Sequence, residues 1–178
     1  MHLTWLDREH LDDRDVAGAV ALLDAARLVD SPHQLVEPTV FSYTAFLQTG
    51  WDGTPPAAAL ARDDKGRVVG ALQVTLPHWD NTHVGGVDVT VDPLARRQGI
   101  GRRLFDVGVE RVRAEGRRLV LTDSWAGSAG EKFAEAMGLE RAAVGVQRRQ
   151  ELRALDWPRL DVEFAEAESR ASGYELLR

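Results

Sequence analysis

One stretch, VDVTVDPLARRQGIGRRLF at residues 87–105, constrains the fold more than any other. Val87, Val89 and Val91 alternate as one face of a strand does. Asp92-Pro93 ends that strand, because proline cannot donate to a ladder. A helix follows from about Gly99 to Glu115, and Gly116 stops it. The start of this helix is costly by itself. Glycine inside a helix loses roughly 1 kcal/mol to alanine. Arg96, Arg97, Arg102 and Arg103 crowd the positive end of the macrodipole, where cations are disfavoured. A bound anion accounts for both costs. The first-turn N–H groups are free to face it. Gly99 and Gly101 let the backbone come close, and the arginines add charge-assisted contacts to phosphate.

Around that stretch the chain reads as a mixed α/β fold with one main sheet. Residues 2–6 form a first strand, and 15–30 carry apolar residues at helical spacing. A second helix spans 39–48. Strand 57–63, the turn DDKG and strand 67–76 make a hairpin. Strand 84–91 and the Arg/Gly helix follow, then strand 117–123. Ser128-x-x-Glu131 is a capping-box pattern ahead of a short helix ending at Gly138. A last strand is expected over 139–152 and a charged amphipathic helix over 156–173, before the closing YELLR.

With 178 residues, 44% of them hydrophobic, the chain has enough apolar material for one domain with a real core. The net charge of −6 argues against nucleic acid as a partner and suits a cationic substrate. The lack of cysteine excludes disulfides, thiolate nucleophiles and Cys-based metal sites. His78 and His83 lack a third ligand at convincing spacing, so no metal is expected. The N-terminal residues are polar and acidic, unlike a signal peptide, and no apolar run is long enough for a bilayer. The expectation is a cytoplasmic protein without a membrane partner.

Three phosphate-binding templates compete for the Arg/Gly turn. A Walker loop needs Gly-Lys-Ser/Thr, but Gly101 is followed by Arg102-Arg103. A dinucleotide fingerprint needs a third glycine, and Leu104 stands there. The third pattern is Arg96-x-x-Gly99-x-Gly101 preceded by Val-x-Val-x-Pro, with FAEAMGL downstream at 133–139. It resembles the pyrophosphate loop of the GNAT superfamily, the Gcn5-related N-acetyltransferases, and the order of elements over residues 1–152 is similar to that family. The resemblance implies a mostly antiparallel central sheet flanked by helices, with two central strands splayed apart.

It also implies acetyl-CoA as acyl donor. The main chain of Val89 and Val91 would pair with the pantetheine arm, and Arg96, Arg97, Gln98, Gly99, Ile100, Gly101 and Arg102 would hold the pyrophosphate. The acceptor would be a small-molecule or peptide amine, acetylated by direct transfer. Asp88 and Asp123 are the candidate bases; each also reads as a solvated or capping carboxylate. Tyr43 and the cluster His78, Trp79, Asp80, Asn81 and His83 are candidate acceptor contacts. The sequence departs from the family at Ala134, where many members carry the tyrosine that protonates the thiolate. Ser128 stands near the usual upstream asparagine and also reads as a helix cap. The departure keeps a second function open, a non-catalytic acyl-CoA-binding or scaffold module. The tail, 153–178, is similar to the linker of tandem GNAT proteins, which points to a second GNAT module or a homodimer as partner.

Overall fold

The computed structural model describes residues 2–34 and 37–175. The chain divides into two compact units, Met1–Glu140 and Arg141–Arg178. The first holds β1 (His2–Trp5), α1 (Asp13–Asp30), α2 (Val40–Thr49), β2 (Ala57–Arg62), β3 (Val68–Thr75) and β4 (Val84–Val91). A 3₁₀ turn at Pro93–Ala95 leads into α3 (Ile100–Ala114), β5 (Leu119–Leu121) and α4 (Ala129–Ala136). The five strands lie side by side in chain order. Neighbours from β1 to β4 are antiparallel, and β5 runs parallel to β4. This is the mixed, mostly antiparallel sheet that the sequence led us to expect.

Local chemistry sets the helix starts. Asp12 caps α1 by accepting the Arg14 N–H at 2.7 Å. Thr39 and Ser42 cap α2 reciprocally. The strands then sort their side chains by period 2. On one face Ala58, Leu60 and Ala71 pack under α1 and α2 against Val16, Leu22 and Leu47. On the other, Ala59, Leu72, Val74 and Val87 pack under α3 against Leu104, Phe105 and Val112. Gly108 lets α3 lie close to the sheet: a Cβ there would stand 2.5 Å from Val87 Cγ1 and 3.0 Å from Leu72 Cδ1. Overpacking costs about 1–3 kcal/mol, while alanine's helix preference returns at most about 1. Gly108→Ala is therefore expected to lower stability by about 1 kcal/mol in urea melts with unchanged slope.

The β4–β5 ladder is short. It joins Val84 to Leu119, Gly85 to Val120 and Gly86 to Leu121. Beyond Gly86, β4 runs on to Val91 while β5 ends, so the two strands part and leave a gap. No helix of the described residues is long and apolar enough to cross a membrane.

The expected last strand over 139–152 does not form. Residues 139–150 carry neither helix nor strand, and Val144 and Val146 are each 73% exposed. An alternating run becomes a strand only when another strand takes its hydrogen bonds, and none of the described residues does so here. The second unit holds a 3₁₀ turn at Leu152–Ala154 and α5 (Trp157–Arg170), capped by Asp156 accepting from the Arg159 N–H. Residues 176–178 of the closing YELLR lie outside the described residues.

Candidate active site

The turn before α3 is built to face an anion. Arg97 and Gly99 both take left-handed backbone, at φ 64° and 81°. That is uncommon for a residue with a Cβ such as Arg97, and it curls successive N–H groups inward as an anion-binding nest does. Gly99 is the α3 N-cap and has no side chain to bond the free N–H groups. Among the described residues no acceptor takes an N–H from Arg97 through Arg102; the first helical bond runs from the Arg103 N–H to Gly99 O. The exposed side chains of Arg97, Arg102 and Arg103 pair with no carboxylate of the described residues. Gly101 lies under α4, where a Cβ would stand 3.4 Å from Phe133.

Beside the turn, β4 offers a free edge. Asp92 N–H donates to Val69 O at 3.0 Å, so the even-numbered residues of β4 direct their main chain to β3. By alternation, the main chain of Val87, Val89 and Val91 faces the gap opposite β3. Val91 O accepts from Arg96 Nε at 3.2 Å. Among the described residues nothing pairs with the Val89 N–H or C=O in the gap, as an added strand-like ligand requires.

A cleft of about 830 Å³ joins these features. It runs between the end of α1, β4, the start of α3 and residues 123–137. Asp88 and Asp123 both line it, with Trp125 beside them. Burial raises the Asp88 pKa above the ordinary carboxylate value, and the nearby Asp123 charge raises it further. The Asp123 N–H and the Thr122 hydroxyl pull the other way. The cleft thus brings both candidate bases and the loop residues into one site, except Gln98, which does not line it. It does not include His78, Trp79, Asp80, Asn81 or His83, which are exposed in the β3–β4 connection. Ser128 is a helix cap, accepting from Gly130 and Glu131 N–H. Ala134 sits within α4 and supplies no hydroxyl.

Sequence reasoning missed Asp30. Arg96 donates to both Asp30 oxygens, Nη1 to Oδ1 at 2.9 Å and Nη2 to Oδ2 at 2.5 Å. The pair, with each side chain 21% exposed, ties the loop to the end of α1. No local pattern joins residues 66 apart in the chain. Losing one partner of a buried pair costs about 3–5 kcal/mol and of an exposed pair at most about 1. For this half-buried pair, Asp30→Asn is expected to cost about 1–2 kcal/mol in chemical denaturation.

Comparison with known proteins places this geometry. The sequence model of the acetyltransferase (GNAT) family matches residues 22–139. The chain belongs to this family. It is 32% identical over 162 residues to a mycothiol acetyltransferase of Rhodococcus opacus, covering 89% of this chain and 48% of the relative. This GNAT chain therefore spans about half the length of the curated relative it matches. Among solved structures it is similar to a tandem GNAT protein from the clavulanic acid biosynthesis pathway, with 27% identity, a TM-score of 0.63, and coverage of 77% of this chain and 43% of that one. It also shares its fold with an aminoglycoside acetyltransferase from an uncultured soil metagenomic sample, solved with sisomicin. There the identity is 15%, the TM-score 0.62, and the coverage 84% and 96%.

Proposed function

We propose that this chain is an acetyl-CoA-dependent N-acetyltransferase acting by direct transfer on a small-molecule or peptide amine. The observation that carries the reading is the continuity of the Arg97–Arg102 N–H nest, the free Val89 main chain and Asp88 in one cleft. Arg97, Gln98, Gly99, Ile100, Gly101 and Arg102 hold the pyrophosphate through main-chain N–H groups, with the free arginines adding charge. Arg96 shapes the loop through Asp30. Val89 and Val91 line the pantetheine arm. The two acidic side chains suit an amine that arrives as a cation.

The chemistry follows from these positions. The neutral amine nitrogen attacks the thioester carbonyl carbon, and a C–N bond forms. The Val89 N–H donates to the oxyanion. Asp88, as carboxylate, takes the proton leaving nitrogen, directly or through water. The C–S bond breaks, and the thiolate takes a proton from solvent. A thiol is a far stronger acid than an amine N–H, so the thiolate leaves the tetrahedral intermediate without the hydroxyl that Ala134 lacks.

Ala134 favours a second reading, a module that binds acyl-CoA without turnover. Thiol release from acetyl-CoA, measured against a panel of primary amines, separates the two. Amine-dependent release supports the enzyme. Tight acetyl-CoA binding with no release above the hydrolytic background across the panel supports the scaffold.

A further inference from the structure

The face of the sheet under α1 and α2 changes character across its strands. On β2, Ala58 and Leu60 are buried and apolar, as is Ala71 beside Leu60 on β3. In the same rows toward β4 the face carries Gln73, Asp88 and Thr90, with Thr75 beyond them. A core does not require that change. Gln73 and Asp88 are direct partners across β3 and β4, so their side chains leave the sheet side by side, with Cβ atoms about 5 Å apart. Tyr43 reaches down from α2, and Gln73 Nε2 donates to its Oη at 3.3 Å. That bond turns the amide so that Oε1 faces away from the phenol. Among the described residues nothing donates to Gln73 Oε1, and nothing accepts the Tyr43 O–H. Gln73 is only partly buried, so Oε1 remains reachable.

Resting on the acetyltransferase reading, we infer that Gln73 is a specificity-determining residue of the acceptor site: anchored by Tyr43, it presents Oε1 beside the Asp88 carboxyl so that a primary ammonium group is received between the two oxygens. A primary ammonium has three donors. Two acceptors set side by side use two of them and leave the third for another acceptor. The amide is neutral, so it orients the cation without competing for its proton. A protonated tertiary amine has a single N–H to offer and cannot use both oxygens. The Tyr43 phenol is pushed up by burial, so it stays protonated and serves as an anchor, not as a base.

The test is an NMR titration of the ¹⁵N-labelled chain, with and without CoA, using benzylamine and sisomicin as probes. The Gln73 side-chain amide is assigned by its loss in Gln73→Leu. The expected result is a saturable shift of that resonance with at least one probe. Gln73→Leu and Asp88→Asn should each weaken the amine by about tenfold, one decade of affinity, while CoA binds as before. Tyr43→Phe, which keeps the ring in place and leaves Gln73 unanchored, should weaken the amine severalfold. N,N-dimethylbenzylamine should bind worse than benzylamine to wild type and equally to Gln73→Leu. A Gln73 resonance unmoved by both amines overturns the inference, as does an amine affinity unchanged in Gln73→Leu. If CoA fails to bind, the acetyltransferase reading falls, while the amine titration of the free chain still decides the role of Gln73.

Discussion

Asp88→Asn is expected to slow amine acetylation by a factor of about 10²–10⁴, the usual contribution of a positioned base. Affinity for acetyl-CoA should hold, because the pyrophosphate loop and the Val89 main chain are untouched. The pH dependence follows from the same group. Asp88 must be ionised to take a proton, and burial with the Asp123 charge raises its pKa. The wild-type rate should therefore fall on acidification at a higher pH than an ordinary aspartate would give. Removing Asp123 should move that limb down, toward the ordinary value. Stability runs in the opposite direction. A carboxyl whose folded pKa is raised binds more protons in the native state than in the unfolded state, from about pH 4 up to its raised value. Stability is thus lost as pH rises through that window. Asp88→Asn removes the loss and should raise the melting temperature at neutral pH. A variant that is slower yet more stable at neutral pH would mark Asp88 as a functional group held at a cost.

Gly99→Glu is expected to weaken acetyl-CoA by about a hundredfold or more. Space is not the obstacle, since a Cβ there meets nothing within 4 Å. The backbone is: at φ 81° an L residue is strained by roughly 1–2 kcal/mol. The new carboxylate adds repulsion toward the pyrophosphate of about 3 kcal/mol at 5 Å under an effective dielectric near 20. Gly99→Ala carries the strain without the charge and should lose about tenfold, so the difference between the two variants isolates the electrostatics. Calorimetric titration of both variants, each checked for folding by circular dichroism, reads the result.

Much of this site was legible because its signals are local. The costs at Gly99 and Arg97 show within six residues, and the structure turns them into left-handed backbone and free N–H groups. Alternation from Val87 to Val91 places Asp88 on the opposite face, where the structure has it. Asp123 was expected to end the next strand; β5 stops at Leu121, and Asp123 still lines the cleft. What was hidden depends on the third dimension. The Arg96 tie to Asp30 needs the fold before it has meaning. So does the Gln73–Tyr43 bond, although a glutamine in the otherwise apolar run VVGALQV was a visible irregularity. The run 139–152 misled for a physical reason. Alternation states which side chains would share a face, but a strand exists only with a partner, and sequence pattern does not supply one. Ser128 shows the opposite case, a residue with a structural and a functional reading that the structure uses as a cap.

The turn at 96–102 and the free edge of β4 are expected to hold acetyl-CoA. The most direct measurement is calorimetric titration of the folded wild-type chain with acetyl-CoA. The expected result is one site per chain with affinity in the micromolar range. A folded chain that gives no binding heat at any of several temperatures, and no protection of the Arg97–Arg102 amides in hydrogen exchange, would contradict it.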